Sequence, residues 1–380
     1  MKEKMRVLLV ARNLKIGGVE KNTVNLANTL QQQGHEAHIL IFKKRIELTP
    51  DDGVPVHVFD LDKANRWTVI GLFYDLFTRL FLSTSIRGSG FVWRGLYGGL
   101  YFRIYLRWLE RRYGRFDKVI VRGEGAFEHI WSCNDPRIYR VVVSPVKPSG
   151  GSRVKGWFSR LLYGNKQMVA NSSDVRESLE RRLAEDGVEA ASITTIFNPC
   201  PIKRIQQMAE ESAPLPAEPY IVHVARLVPQ KNQALLLRAY KASGITLKLY
   251  ILGNGKDERA LRQLAEELGI AHQVIFLGQK LNPYPWMKQA QMFVLSSHFE
   301  GFGLVLVESL ACGTQVVAAD CPGGVRHVLV EEQKRLVAEP TPEALGAKIR
   351  EALEHPVTIK PEWYWRFDAS KVAQQFLELP

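Results

Sequence analysis

Residues 292–319 read MFVLSSHFEGFGLVLVESLACGTQVVAA. Two short and largely apolar runs, Met292–Leu295 and Gln315–Ala318, flank Leu304–Cys312, whose apolar side chains have helical spacing. The loop glycines, and Gly313 after the helical stretch, are typical of turns that join strands to helices. A strand, a helix and a strand in this order predict two parallel strands joined by a crossover helix.

The same alternation extends over most of the chain and predicts an α/β fold. Further strands are predicted at Val7–Ala11, Ala37–Phe42, Lys118–Arg122, Tyr139–Ser144, Gln167–Ala170, Ile193–Phe197, Tyr220–Arg226, Thr246–Leu252 and Gln273–Leu277. We therefore expect two doubly wound, Rossmann-like domains that face a cleft, with ligands at the carboxyl ends of the strands.

Prolines mark the boundary between the two domains. They cluster in Asn198–Pro201 and again in Ser212–Pro219, which is a composition typical of a linker. We predict a first domain of residues 1–200 and a second of residues 201–361. The amphipathic tail, residues 362–380, is predicted to form a helix that crosses back to the first domain.

Composition and charge narrow the possible classes of protein. The 380 residues are 46% hydrophobic and 24% charged, which excludes disorder, collagen and a coiled coil as the main architecture. Residues 1–200 hold 31 basic and 20 acidic side chains, whereas residues 201–380 hold 20 and 19. An anionic partner would therefore meet the first domain.

Neither a disulfide framework nor a membrane span is predicted. The four cysteines form no pair with the spacing of a metal site, so a reduced, cytoplasmic protein is expected. The first apolar run is too short for a signal peptide. The most apolar longer segment, Thr68–Leu82, contains Asp75 and Arg79 and is shorter than the roughly 20 residues that a membrane-spanning helix needs.

The loop and helix start within residues 292–319 predict an anion site. Backbone N–H groups of Phe302, Gly303 and Leu304 would lie at the positive end of a helix. Glu300 and Glu308 would repel a phosphate unless they face neighbouring hydroxyl groups, so they suit the polyol parts of a nucleotide sugar. The alternative is that they are an ordinary loop acid and an ordinary helix acid.

Three other segments follow predicted strands and carry charges or glycines. Arg226 and Lys231 could offer two cations to a diphosphate from one loop, or they could be solvated surface charges. Gly253 and Asn254 lie in a glycine-bearing loop that would let a nucleotide approach the backbone. Gly17 and Gly18 open the first helix in a similar way, or simply form a tight turn.

Taken in order along the chain, these motifs resemble those of the retaining glycosyltransferases of family four, which have the GT-B fold and include enzymes of bacterial lipopolysaccharide and polysaccharide synthesis. The resemblance rests on Gly17–Glu20, on Arg226–Asn232, on Gly253–Gly255 and on the pair Glu300 and Glu308 with seven residues between them. It is good from Pro219 to about Leu329 and thin from about Asp62 to Gly164.

The resemblance implies a nucleotide-diphosphate sugar as co-substrate, with UDP favoured because relatives favour it. Arg226 and Lys231 would hold the diphosphate, Glu308 the ribose and Glu300 the transferred sugar, while Gly18 would approach from the first domain. It implies no metal and no further cofactor. Where many relatives have a strand-end histidine, this chain has Ser144-Pro145, so no general base is predicted.

Two further histidines are expected to have no catalytic role. His129 is expected on a helix with its hydrogen bonds satisfied, and His327, which lies where an acid is frequent in the family, is expected to be structural.

Residues 66–115 are the candidate acceptor or membrane surface. They hold nine arginines, among them Arg103, Arg107, Arg111 and Arg112, and thirteen aromatic residues, against two acids. This mixture suits anionic lipid headgroups, and hence a lipid-linked saccharide or a lipopolysaccharide core as acceptor, on the inner face of the cytoplasmic membrane. Alternatively, the face that Phe73, Phe77 and Phe81 share packs into the core.

A nucleic-acid partner is not predicted, because no reading module is recognisable. Two other functions remain as alternatives: a nucleotide-sugar epimerase or phosphorylase of the same fold, and a non-catalytic basic protein that binds membranes.

Overall fold

The structure, a computed structural model, describes residues 4–67, 69–82, 86 and 88–380. It divides into two units. Unit 1 comprises residues 1–199 and 369–380, and unit 2 comprises residues 200–368. Each unit contains one parallel sheet with helices on both faces, which is the α/β class predicted from the alternation of apolar runs.

Unit 1 has a seven-stranded sheet in the order β3-β2-β1-β4-β5-β6-β7. Its strands are β1 Arg6–Ala11, β2 Glu36–Ile41, β3 Val56–Val58, β4 Lys118–Arg122, β5 Ile138–Val142, β6 Gln167–Ala170 and β7 Ser192–Thr195. Its helices are α1 Gly18–Gln32, α2 Leu61–Arg66, α3 Val69–Phe77, α4 Gly90–Tyr113, α5 Glu124–Phe127, α6 Arg153–Tyr163 and α7 Ser173–Asp186. A π-helical turn, Thr78–Leu82, continues α3, and a 3₁₀ turn, Glu128–Ile130, follows α5.

Unit 2 has a six-stranded sheet in the order β10-β9-β8-β11-β12-β13. Its strands are β8 Tyr220–Val224, β9 Lys248–Leu252, β10 Val274–Gly278, β11 Met292–Leu295, β12 Val316–Ala319 and β13 Val337–Ala338. Its helices are α8 Ile202–Ala209, α9 Gln233–Ser243, α10 Glu258–Glu267, α11 Tyr284–Gln289, α12 Leu304–Ala311, α13 Val325–Val328, α14 Pro342–Glu354 and α15 Pro361–Trp365. 3₁₀ turns lie at Pro229–Lys231 and Glu331–Leu336.

The strand order reverses once in each sheet, and these reversals position the candidate site residues. In unit 2 the reversal lies between β8 and β11, which pair in parallel with Met292 opposite Ile221. The loops that follow these two strands therefore start side by side at the carboxyl edge, where open α/β sheets bind ligands. In unit 1 the corresponding neighbours are β1 and β4.

The last helix, α16 Ala369–Leu377, returns to unit 1 as expected. Val372, Ala373 and Phe376 are buried in the core on the side of the sheet that α1 covers. The boundary differs from the predicted one, because residues 362–368 belong to unit 2. Trp363 is 2% exposed in the core of unit 2, and this anchors the segment there.

Among the residues described, no helix combines the length and the apolar character that a bilayer crossing requires.

Candidate functional site

The loop after β8 carries Arg226 and Lys231, and backbone contacts fix its path. Leu227 N–H donates to Asn254 O over 2.8 Å, which ties this loop to the one after β9. Asn232, in the left-handed region with φ 46°, caps α9 by accepting from Leu235 N–H. Lys231 therefore lies directly before α9, while the Arg226 side chain is exposed at the end of the strand.

Lys231 and Glu300 form a largely buried ion pair. The distance from Lys231 Nζ to Glu300 Oε1 is 2.6 Å, and the two side chains are 16% and 7% exposed. Ser297 Oγ donates to the same carboxylate oxygen over 2.6 Å. Two predicted site residues that are 69 positions apart are thus brought together, because β8 and β11 are neighbours in the sheet.

Glu308 is also buried, but its contact is a different one. It lies in α12 and its Oε1 accepts from Tyr284 Oη over 3.4 Å. Burial, and to a smaller extent the neighbouring carboxylate of Glu308, raises the pKa of Cys312 to about 12. The structure therefore gives the two predicted carboxylates different surroundings: Glu300 faces a cation, and Glu308 a phenol.

The start of α12 has the geometry expected of an anion site. Gly303 lies in the left-handed region with φ 77°, so that Leu304 can begin the helix directly after it. Phe302 is 3% exposed and its ring packs against Phe367 at 5.1 Å, so this residue offers a ligand its backbone rather than its side chain. The eight-residue helix then directs its N–H groups out of its N-terminus.

Two glycines, Gly323 and Gly324, support this segment. A Cβ at Gly323 would lie 1.6 Å from Glu300 O, and one at Gly324 would lie 1.9 Å from Phe302 O. Glu300 N–H also donates to Pro322 O over 3.0 Å. The backbone of the Glu300 loop therefore rests directly on this glycine pair.

Gly253 has a structural explanation of the same kind. It has φ 140°, and a Cβ there would lie 1.9 Å from Ala225 O. Asn254 is exposed, and its Nδ2 donates to Gln279 Oε1 over 3.1 Å. Close packing of the loops after β8 and β9 thus requires a glycine here, whether or not a nucleotide also approaches.

His223 is a buried support of the site that sequence reasoning missed. It is fully buried in β8, where its Nδ1 donates to Val294 O over 2.9 Å and its Nε2 accepts from Gln233 Nε2 over 3.2 Å. Gln233 also donates to Arg226 O over 2.9 Å, so the pair holds the Arg226 loop. The only signal in the sequence is one histidine in an otherwise apolar strand.

Acid is expected to destabilise the protein through His223. Burial lowers its pKa from 6.5 to about 4, so the unfolded chain takes up a proton in that window while the folded chain does not. The free energy of unfolding should fall as the pH falls from 6.5 to 4, by about 3 kcal/mol from this residue. Urea denaturation at several pH values between 6.5 and 4 would measure this fall in the free energy of unfolding. His223→Asn, which cannot take up a proton and keeps an N–H donor near the position of Nδ1, should show a shallower dependence, and an unchanged slope would contradict the assignment.

In unit 1 the predicted glycines lie at the start of α1. Gly17 is the N-cap with φ −163°, an extended conformation open to any residue, and a Cβ at Gly18 would meet no atom within 4 Å. No backbone strain therefore demands a glycine at these two positions, and their predicted role with the donor stays a prediction.

Buried polar groups follow β4 in unit 1. His129 lies in a 3₁₀ turn and its Nδ1 donates to Gly125 O over 2.7 Å, but its buried Nε2 has no hydrogen-bond partner among the residues described. The expectation of a fully satisfied histidine is therefore wrong for one ring nitrogen. Burial lowers the pKa of His129 and raises those of the neighbouring carboxyls of Glu124 and Glu128.

The arginine-rich segment also lies in unit 1. Arg103, Arg107, Arg111 and Arg112 are exposed on α4. Phe73, Phe77 and Phe81 are 67%, 53% and 58% exposed, so the alternative that their shared face packs into the core is wrong. Arg87 and the side chain of Arg79 lie outside the described residues.

No group of three or more histidine, cysteine, aspartate or glutamate side chains is placed to hold a metal ion in the described part of the chain.

Part of the chain is similar to a known family of proteins. Residues 205–364 match the family model "Glycosyl transferases group 1". A Campylobacter jejuni N-acetylgalactosamine-N,N'-diacetylbacillosaminyl-diphospho-undecaprenol 4-alpha-N-acetylgalactosaminyltransferase is 30% identical over 235 residues, which are 62% of this chain and 60% of that protein. The lipopolysaccharide core biosynthesis glycosyltransferase LpsD of Rhizobium meliloti is 25% identical over 90% of this chain and 86% of its own. The match thus spans less than two thirds of the Campylobacter protein.

Solved structures show the same fold. Anabaena Alr3699/HepE in complex with UDP and glucose has a TM-score of 0.70 at 18% identity and covers 98% of both chains. The apo form of the lipopolysaccharide outer core galactosyltransferase WaaB has a TM-score of 0.65 at 18% identity, again over 98% of both chains. Residues 205–364 are thus similar to the group 1 glycosyl transferases, and the chain has the fold of these solved structures, the GT-B fold of two Rossmann-like domains.

Proposed function

We propose that this protein is a glycosyltransferase that moves a hexose from a nucleotide-diphosphate sugar to a saccharide acceptor, with retention of the anomeric configuration, in the synthesis of a cell-surface polysaccharide. The observation that carries the proposal is the buried pair of Lys231 and Glu300, which lies at the strand-order reversal of the group 1 domain.

The pair can bind the diphosphate and the transferred sugar of such a donor at once. An ammonium group has three N–H donors, and Lys231 uses one of them on Glu300, so it can also bind a diphosphate oxygen. Arg226, exposed in the same loop, would supply the second cation. Both hydrogen bonds to Glu300 use Oε1, and Oε2 would accept from a hydroxyl of the transferred sugar.

The remaining donor contacts follow from the start of α12. Backbone amides of Phe302, Gly303 and Leu304 would bind phosphate oxygens at the positive end of the helix. Glu308, one turn further along, would accept from the ribose hydroxyls. UDP is the favoured nucleotide, because the Anabaena neighbour is described with UDP and with UDP-glucose.

Retention would follow if the acceptor attacks on the face from which the diphosphate departs. The acceptor oxygen forms the new bond to the anomeric carbon, the bond to the diphosphate oxygen breaks, and that oxygen takes the acceptor's proton. Arg226 and Lys231 would stabilise the charge that develops on the diphosphate. The proposal therefore needs no metal ion and no protein general base.

The proposed acceptor is lipid-linked or a lipopolysaccharide core. The support comes from the relatives: one is named for a diphospho-undecaprenol substrate and another for lipopolysaccharide core biosynthesis. A lipopolysaccharide 1,6-galactosyltransferase of Escherichia coli is also 28% identical over 42% of this chain and 45% of its own.

Glu308→Ala is expected to weaken binding of the nucleotide sugar by about tenfold or more, because it removes a charged acceptor for two hydroxyls. Calorimetric titration of wild type and variant with UDP-glucose, UDP-galactose and GDP-mannose would measure the change and would also identify the nucleotide. The anomeric configuration of the product, read by proton NMR, tests retention separately.

Glu343 provides a matched control for this variant. It is an exposed acid in the first turn of α14 in the same unit, so Glu343→Ala should bind the donor as wild type does. Tyr284→Phe removes the hydroxyl that donates to Glu308 but leaves its carboxylate in place, so this variant should keep most of the affinity. Wild-type affinity in Glu308→Ala would refute the assigned role.

A further inference from the structure

The segment Val69–Leu82 of unit 1 exposes its apolar side and buries its polar side, which is the reverse of an ordinary helix on a surface that faces water. The side chains at least half exposed include Leu72, Phe73, Leu76, Phe77, Leu80 and Phe81, and we call them the aromatic face. The buried positions between them are Gly71, Asp75 and Thr78. A surface helix ordinarily buries its apolar stripe and exposes its polar one.

Hydrogen bonds hold this inverted orientation. The Asp75 carboxylate accepts from Arg66 Nε over 3.1 Å, and Asn65 Nδ2 donates to Gly71 O over 3.0 Å. Tyr74 Oη donates to Trp93 O in α4 over 3.0 Å. The polar side of the helix is thus committed to the protein, and the apolar side remains outermost.

The neighbouring helix α4 combines apolar and cationic side chains on its exposed side. Leu96, Leu100, Ile104 and Trp108 recur every four residues and are 43% to 55% exposed. Arg103, Arg107 and Arg111 recur at the same spacing one position earlier, and we call them, with Arg112, the arginine face. Residues i and i+4 share one side of a helix, so the two rows lie next to each other.

Acidic side chains do not neutralise this surface among the residues described between 69 and 112. Asp75 is buried and paired with Arg66, and Glu110 is paired with Arg137 at 2.5 Å. The exposed charges are therefore cationic, and they adjoin apolar side chains that include three phenylalanines and a tryptophan. This combination fits a bilayer interface with anionic headgroups, where arginine meets phosphate and the rings reach the acyl boundary.

We propose that the aromatic face and the arginine face together bind an anionic lipid bilayer, with the aromatic face entering the acyl boundary and the arginine face contacting the headgroup phosphates. The arginine face complements the phosphates of anionic headgroups, and the aromatic face beside it complements the acyl boundary. The proposal does not depend on the donor site, since both faces lie in unit 1.

Vesicle binding by the full chain, measured without substrate, separates the contribution of the aromatic face from that of the arginine face. Wild type should sediment with vesicles of phosphatidylglycerol and phosphatidylethanolamine more than with vesicles of phosphatidylcholine. Phe73/Phe77/Phe81→Gln should lower the partition coefficient by about tenfold or more on both kinds of vesicle. Arg103/Arg107/Arg111/Arg112→Gln should lower it by about tenfold or more on the anionic vesicles only. Glutamine keeps the helix propensity at these exposed positions.

Matched controls remove exposed arginines, or an exposed apolar side chain, outside the two faces. Arg160/Arg181/Arg238/Arg259→Gln removes four other exposed arginines, and Leu281→Gln removes a side chain that is 98% exposed in unit 2. Both should partition as wild type does. An equal loss in the arginine control would mean that net charge alone drives binding, and it would overturn the proposal.

A label gives a readout that does not rely on loss of function. The native cysteines are buried, so an environment-sensitive dye on Phe73→Cys should shift to the blue with anionic vesicles, whereas the same dye on Leu281→Cys should not. No shift at position 73, wild-type partitioning of the phenylalanine variant, or a dimer that this variant abolishes without any vesicle binding by wild type would each refute the proposal.

Discussion

Lys231→Ala is expected to lower the rate of sugar transfer by about 10²–10³-fold, because it removes a cation aimed at the charge that develops on the leaving diphosphate. It should also cost stability. Glu300 is 7% exposed, and loss of its partner leaves a buried carboxylate that keeps only the hydrogen bond from Ser297, at a cost of about 3 kcal/mol. Steady-state kinetics with saturating donor and urea denaturation would measure the two effects.

The two effects can be separated by a second variant. Lys231→Met with Glu300→Gln replaces the ion pair by neutral groups of similar size, so it should recover much of the stability but none of the activity. Recovery of both would mean that the pair is only structural.

Lys288 offers a control for ion-pair loss in general. Its Nζ also lies 2.6 Å from a carboxylate oxygen, that of Glu210, but these side chains are 35% and 68% exposed. Lys288→Ala should change the rate less than twofold and the stability by less than about 1 kcal/mol. A comparable loss of activity in this variant would contradict a special role for Lys231.

The strands were predictable from sequence because parallel strands covered on both faces are continuous apolar runs. Lys118–Arg122, Gln167–Ala170 and Met292–Leu295 are found as predicted, and the ends of the other predicted strands differ by at most two residues. The short strands Val56–Val58 and Val337–Ala338 were missed. Each pairs along only one side at the edge of its sheet, so two or three residues suffice and leave no distinct pattern.

The direction of a helical face was not predictable from spacing. Phe73, Phe77 and Phe81 recur every four residues, and this spacing is the same whether their face meets the core or the solvent. What decides the direction is the opposite side, where the Asp75 carboxylate binds Arg66 and Tyr74 reaches a carbonyl of α4. Those partners are distant enough in sequence that only the folded chain reveals them.

The motifs of unit 2 were predictable as a set, but their contacts were not. The order of Arg226, Lys231, Glu300 and Glu308 indicated a common site, yet it gave no reason to pair Lys231 with Glu300 and to place Tyr284 on Glu308. Both pairings follow from which strands and helices are neighbours in the fold. The need for glycine at positions 323 and 324 was not predictable for the same reason.

Gly324→Ala is expected to lower the rate of transfer by about 10²-fold while most of the fold survives. Gly324 has φ −75°, so alanine meets no backbone strain, but its methyl group would lie 1.9 Å from Phe302 O and 2.6 Å from Phe302 C. These are backbone atoms, so the segment from Glu300 to Gly303 must move away. A displacement of about 1 Å at groups that position a substrate can cost this much in rate.

The same methyl group should cost about 1–3 kcal/mol of stability, as overpacking does elsewhere. Donor affinity by calorimetry and urea denaturation would separate a displaced loop from an unfolded unit, since a displaced loop loses affinity at a denaturant midpoint that is only modestly lower. Gly156→Ala is the matched control, because a Cβ in that helix would meet its nearest atom, Asp186 Oδ1, at an ordinary 3.4 Å. If Gly324→Ala transferred sugar as fast as Gly156→Ala, the loop that carries Glu300 would not be part of the donor site, because its backbone cannot accept this methyl group without moving.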